Sequence, residues 1–244
     1  MKIVSIPFSG GSLGNNLGCE EAPKSILGIS GYKNFIEVPV DNHNIDLTFE
    51  NISKTIFGAN GLFILGGDHS ITYSVFKTVN KNYGLIIFDA HPDVQSSDFV
   101  THEDYLRMLI EDNIIDPSKI ILVGIRAGSK EEMDYLKNKG IVYFDINSIL
   151  DLGLEEVCNL AMERALQWGG VYLSIDIDVV DPAYAPGTGY LEPGGLSSKE
   201  LLYFLSRIKK MRNLKFVDLV EVNPKRDFNN LTLLLSKKIM EEFL

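Results

Sequence analysis

The chain has 244 residues, 45% hydrophobic and 23% charged, which excludes a disordered tail, a collagen-like fibre and a disulfide-stapled miniprotein. Its 33 acidic and 23 basic residues give a formal net charge of −10. An acidic balance argues against a nucleic-acid backbone or an anionic membrane surface as partner and is compatible with cationic ligands.

Residues 2–6 form the first strand candidate, so Met1 and Lys2 lead into a strand-like run rather than a signal peptide. A Gly-rich stretch follows, then a strand at 35–40 and a helix at 48–57. The strand at 62–65 ends in Gly66-Gly67-Asp68-His69-Ser70, ahead of a helix at 71–79. The strand at 85–88 runs into Asp89-Ala90-His91-Pro92-Asp93, and a helix at 103–111 precedes the strand at 120–123. Ser129 and the acidic pair Glu131-Glu132 open a helix at 130–139, which Gly140 closes. A strand at 141–144, a helix at 154–167 and a strand at 171–175 follow, the last running into Asp176-Ile177-Asp178. The chain finishes with a helix at 198–209, a strand at 216–220 ahead of Glu221, and a helix at 231–243.

Most of these strands are continuous apolar runs, as expected where a parallel sheet is covered on both faces. Strand and helix alternate about eight times, which predicts an α/β fold with a mostly parallel sheet. The count fits a closed barrel and an open three-layer sandwich equally. No repeat, linker or low-complexity tract divides the chain, so residues 1–244 are expected to be a single domain. No apolar run approaches the ~20 residues of a membrane span. Cys19 and Cys158 form no CxxC pair and are expected as free thiols of a cytoplasmic protein.

The polar clusters follow strands directly, where α/β sheets bind ligands. Asp89, His91 and Asp93 stand at i, i+2 and i+4, and Asp176 and Asp178 repeat that spacing, so each set shares one face of an extended chain. With His69 they make four carboxylates and two imidazoles. Four crowded anions require a positive charge among them. Six ligands are more than one catalytic ion takes from protein, so two divalent cations sharing carboxylates use the set better. Oxygen-rich ligation without thiolate favours Mn²⁺ over Zn²⁺ or Cu²⁺, with Mg²⁺, Fe²⁺, Co²⁺ and Ni²⁺ as competitors.

Gly-Gly-Asp-His-Ser at 66–70, Asp-Ala-His-Pro-Asp at 89–93, Ser-Ile-Asp-Ile-Asp-Val-Val-Asp-Pro at 174–182 and Glu-Val-Asn-Pro at 221–224, in that order, resemble the ureohydrolases: arginase, agmatinase and formiminoglutamase. The segment Gly18-Cys19-Glu20-Glu21-Ala22-Pro23 resembles the family's amino-terminal region more weakly. The resemblance implies a three-layer α/β/α sandwich, two Mn²⁺ per chain, and hydrolysis of a guanidino group to urea and an amine. Carried over by position, it implies that His69, Asp89, Asp93 and Asp176 hold one ion and that Asp89, His91, Asp176 and Asp178 hold the other, with Asp89 and Asp176 bridging. It implies that Glu221 faces the guanidinium and that His102 shuttles the proton. Asp181 is assigned a structural role rather than ligation. The resemblance further implies a homo-oligomer, a trimer or hexamer.

Two positions depart from the family pattern. Glu103 follows His102 where Gly is usual, and Tyr190 stands where a small Thr is usual. Ala-Pro-Gly-Thr-Gly at 185–189 followed by Glu-Pro-Gly-Gly at 192–195 is closer to agmatinases, and Gly124-Ile125-Arg126-Ala127-Gly128 lacks the Asp that arginases place after this Arg. The expected substrate is therefore a small cationic guanidino compound, agmatine first, with arginine, formiminoglutamate and aminopropyl-agmatine as alternatives. A metal-containing polyamine or guanidino sensor without turnover is a second class of reading. The loop 95–99 is expected at the substrate's far end, with Asp98 able to meet an ammonium. Arg107 and Arg126 are the basic residues closest in sequence to the motifs.

Overall fold

The computed structural model describes residues 1–79 and 82–244. Strand β1 (Lys2–Ile6) is followed by helix α1 (Ala22–Ser30), the short strand β2 (Phe35–Glu37), α2 (Ile45–Ile56) and β3 (Leu62–Gly66). Next come α3 (Ile71–Thr78), β4 (Tyr83–Phe88), α4 (Tyr105–Glu111), β5 (Ile120–Ile125), α5 (Lys130–Lys139) and β6 (Val142–Asp145). Helices α6 (Ile146–Leu152) and α7 (Leu154–Ala165) precede β7 (Gly170–Asp176), and α8 (Ser198–Ile208), β8 (Leu214–Val220) and α9 (Leu231–Glu242) complete the order.

All eight strands form one parallel sheet in the order β2-β1-β3-β8-β7-β4-β5-β6. It is open rather than closed, with helices on both faces, so the three-layer sandwich is the correct choice over the barrel. The pleat sorts each apolar run into two cores. Phe63, Leu65, Ile86, Phe88, Ile121 and Val123 point to the side packed by α1, α7, α8 and α9. Their neighbours Leu62, Ile64, Leu85, Ile87, Ile120 and Leu122 point to the side packed by α2, α3, α4 and α5. The runs lack alternation because both faces are buried.

Two helices are additional to those expected from the sequence. Helix α1 starts with Pro23 in its first turn, contains Gly28 and ends on Gly31 at φ 70°. Its Gly and Pro content resembles a loop, although Ala22, Pro23, Ile26 and Leu27 are buried. Helix α6 spans only seven residues and is cut from α7 by Gly153 at φ 88°, too short for a helical period to register. The expected strand at 35–40 shortens to three residues at the sheet edge. Among the described residues, no helix is long and apolar enough to cross a membrane, and both cysteines are buried free thiols.

The topology positions the site. Strands β3, β8, β7 and β4 are consecutive in the sheet though scattered in the chain. The four polar clusters leave the carboxyl ends of those four strands, so sequence segments far apart converge on one rim.

Candidate metal centre and active site

Each cluster is aimed by its local backbone. Gly67 lets the chain after β3 pass against Phe8: a Cβ there would lie 1.8 Å from the Phe8 carbonyl oxygen. The Gly67 carbonyl then accepts the Glu221 N–H at 2.8 Å, tying the ends of β3 and β8 together. Asp93 and Glu221 sit at φ 50° and 62°, left-handed conformations that side chains other than glycine adopt at a cost and that concentrate at functional sites.

The His69 ring is locked from behind. Ser174 donates its only hydroxyl proton to Asp218 Oδ1 at 2.7 Å, so its oxygen accepts from His69 Nε2–H at 2.8 Å. Asp218 is held in turn by Thr72 at 2.7 Å and Tyr172 at 2.6 Å. In the neutral ring, Nδ1 is left with a lone pair facing Asp89 Oδ2 and Asp93 Oδ2, both at 3.2 Å, and Asp176 Oδ2 at 3.3 Å. His91 Nδ1 faces Asp178 Oδ2 at 2.9 Å and Asp89 Oδ1 at 3.5 Å.

Two donor groups result: His69, Asp89 and Asp176, and Asp89, His91 and Asp178, the ligand atoms of each lying within 4.8 Å of one another. Asp89 belongs to both and turns one oxygen to each. Asp176 turns Oδ2 to the first group, while its Oδ1 accepts the Asp178 N–H at 2.8 Å. Asp93 joins the first group through His69. The six side chains expected as ligands are therefore brought together.

The site fits a cation. His69 Nδ1 and Asp89 Oδ2 are buried without hydrogen-bond partners although 3.2 Å apart, as expected for atoms directed at a common third position. Burial, then the Asp89 charge, pushes the Asp93 carboxyl well up, and burial with the Asp178 and Asp89 charges does the same to Asp176. Carboxylates under that pressure ionise readily only beside a positive charge.

Glu221 Oε1 accepts the His69 N–H at 2.6 Å and lies 3.2 Å from His102 Nδ1, and its Oε2 accepts from Asn16 at 2.6 Å. His102 is 4% exposed, so it is not a surface residue opening a helix; α4 starts later, at Tyr105. Its Nε2 is buried without a partner. Burial opposes a charge on this ring, but the Glu221 carboxylate overrides it and the pKa is raised to about 9.

Comparison with known proteins agrees with this geometry. The family model "Arginase family" matches residues 1–244. An agmatinase of Bacillus anthracis is 34% identical over 218 residues, 86% of this chain and 72% of the relative. An arginase of Staphylococcus aureus (strain COL) is 33% identical over 221 residues, 83% of this chain and 72% of the relative.

The chain belongs to the arginase family.

It is accordingly a hydrolase of amidino C–N bonds, a ureohydrolase. The solved structure of proclavaminate amidino hydrolase from Streptomyces clavuligerus superposes with a TM-score of 0.90 at 26% identity, covering 99% of this chain and 89% of that one. Family membership also accounts for a binuclear donor set at the rim of an all-parallel sheet.

In this ureohydrolase the two donor groups open into a cavity of about 200 Å³, lined by His91, Asp93, Gln95, His102, Glu103, Ala127, Glu132, Asp176, Asp178, Thr188, Tyr190, Glu192 and Glu221. That is smaller than a typical drug-sized pocket and suits a short substrate. One expectation about its mouth is corrected, and the two basic residues closest in sequence to the motifs are engaged elsewhere. Gln95 reaches the pocket, but Asp98 lines a different groove beside Phe49, Lys77 and Met108. Arg107 pairs with Glu111 at 3.0 Å and stacks on Tyr135. Arg126 is consumed by the carbonyls of Asp178 at 2.6 Å and Glu192 at 2.8 Å. Asp181, expected as structural, accepts the N–H groups of Ala183, Gly194 and Gly195. His43 is exposed in a loop.

Sequence reasoning missed Asp218, Ser174 and Asn16. A signal existed for Asp218, a charge inside the apolar run Phe216-Val217-Asp218-Leu219-Val220, where burial demands several donors. Ser174 and Asn16 carried none.

Proposed function

We propose that this ureohydrolase hydrolyses agmatine to putrescine and urea, using two Mn²⁺ held by His69, Asp89, Asp93 and Asp176 on one side and Asp89, His91, Asp176 and Asp178 on the other. The observation that carries the substrate assignment is the charge of the pocket wall. Beyond the donor groups and Glu221 it carries Glu103, Glu132 and Glu192, and no Lys or Arg among the described residues. A substrate with a carboxylate at its far end would meet carboxylates there without a cation to offset them, whereas a terminal ammonium is favoured.

Bound in the two donor groups, divalent cations supply Lewis acidity and a water-derived nucleophile at neutral pH. The chain's own residues bind and orient the substrate. Glu221 accepts guanidinium N–H bonds, since three of its roughly four acceptor sites are used by protein. His102 holds a proton, its Nδ1 facing Glu221, and presents Nε2 toward the leaving nitrogen of the substrate. In this reading residues 1–244 act as one catalytic domain of a cytoplasmic homo-oligomer, a trimer or hexamer.

Urea release from Mn²⁺-loaded protein, compared for agmatine, arginine, guanidinobutyrate and aminopropyl-agmatine, tests the proposal. Agmatine should give the highest kcat/KM; a higher value for arginine or guanidinobutyrate would overturn the assignment. Two further results are expected. Because His102 acts as an acid, kcat should fall at alkaline pH as its proton, held by the Glu221 carboxylate, is released. His102→Asn should abolish that alkaline limb and lower kcat about a hundredfold, the low end for acid–base catalysis because water reaches the pocket. Ser174→Ala removes the acceptor that orients His69 and should weaken Mn²⁺ binding by about 10- to 100-fold in a metal titration, with the circular-dichroism spectrum retained.

A further inference from the structure

The two departures from the family pattern meet in space. Tyr190 OH donates to Glu103 Oε1 at 2.6 Å and accepts from Asn15 Nδ2 at 2.6 Å. The Tyr190 ring stacks on His102 with centroids 6.0 Å apart and lies 5.4 Å from the His91 ring. Tyr190 thus covers the imidazoles of the site and clamps one oxygen of Glu103.

We propose that Glu103, clamped by Tyr190, receives the far-end ammonium of the substrate and sets both its length and its terminal charge. The inference rests on the agmatine reading and names the residue that enforces it. Three observations carry it. First, Glu103 stands 3.9 Å from His102 Nε2, while Glu221 stands 3.2 Å from Nδ1 of the same ring. The guanidinium carboxylate and Glu103 thus stand at opposite nitrogens of one imidazole, and both line the same cavity, so a short substrate with a cation at each end can address both.

Second, Glu103 is a pre-organised carboxylate of the outer wall. Glu132 is fixed likewise by the Ser129 N–H, but Glu103 is the one tied to Tyr190 beside His102, and no hydrogen bond holds the Glu192 side chain among the described residues. A carboxylate already fixed in place loses less conformational freedom on binding. No Lys or Arg neutralises it, and its Oε2 makes no hydrogen bond among the described residues.

Third, the same wall holds polar atoms that call for a ligand. Thr188 is 1% exposed and His102 is 4% exposed, and Thr188 Oγ1 and His102 Nε2 are buried without hydrogen-bond partners. Both residues line the cavity with Glu103. A ligand rich in N–H donors at this wall satisfies Thr188 and Glu103 together.

The test compares agmatine, butylguanidine and guanidinobutyrate as substrates of wild type and Glu103→Gln, with putrescine as a competitive inhibitor of each. Glutamine keeps an acceptor for Tyr190 and removes the charge. The wild-type preference for agmatine over butylguanidine in kcat/KM should shrink about tenfold or more in Glu103→Gln, and putrescine inhibition should weaken by a similar factor. Tyr190→Phe, which frees Glu103 without removing its charge, should give a smaller loss of the same preference. An unchanged preference in Glu103→Gln overturns the role of Glu103 and leaves the agmatine reading standing. A parallel loss on agmatine and butylguanidine also overturns it, since Glu103 would then act through His102. A wild type that releases no urea from agmatine overturns both.

Discussion

Asp89→Ala is expected to release urea at least about a thousandfold more slowly than wild type and to retain fewer than two Mn²⁺ per chain by elemental analysis. Asp89 turns one oxygen to each donor group, Oδ2 to His69 and Oδ1 to His91, and shares the proposed bridging role with Asp176. Its loss removes an acceptor from each group and also the partner of the His91 N–H at 2.6 Å. Burial works against ionisation of this carboxyl, but the His69 and His91 rings beside it lower its pKa. Near-wild-type activity with two ions bound would remove Asp89 from its bridging position.

Glu221→Gln is expected to separate substrate binding from metal binding. The ion content should stay at the wild-type value while kcat/KM for agmatine falls by about 10²- to 10³-fold, the scale for removing a buried group that holds a reacting charge. Asn16 offers a hydrogen to Oε2, and His69 offers its N–H to Oε1. An amide cannot accept from both without turning its NH₂ toward one of these donors, so the substituted side chain loses its orientation as well as its charge. Loss of metal from Glu221→Gln would instead place this residue among the groups that organise the ions.

These effects depend on residues of unequal visibility in the sequence. The four central strands and the six clustered Asp and His side chains were legible because carboxylates and imidazoles beyond several apolar runs together point to a bound cation, where each motif alone also reads as a turn or a cap. The open sandwich was not legible from periodicity, since barrel and sheet both bury continuous runs on two faces. Helix α1 was hidden by Pro23 and Gly28, whose cost is met by packing Ile26 and Leu27 into the core. For the basic residues, nearness in sequence does not give orientation. Arg126 lies close to the pocket, but its guanidinium is turned to backbone carbonyls, which no spacing rule reveals. Glu103 and Tyr190 were visible only as separate departures, 87 positions apart, and their hydrogen bond requires the fold.

The position of β8 between β3 and β7 bears on how the protein comes into being during synthesis. The ribosome delivers β1 to β6 first, and these can pair only as two half-sheets, β2-β1-β3 and β4-β5-β6, each with an unpaired inner edge. His69 and Glu221 are 152 positions apart, so the nascent chain carries one without the other for roughly ten to thirty seconds at ordinary elongation rates. Through that interval the apolar edge of β3 is open to other chains, and the edge of β4 stays open until β7 arrives. The site therefore waits for β8, and a chaperone that shields the open strand edges would raise the yield of active enzyme.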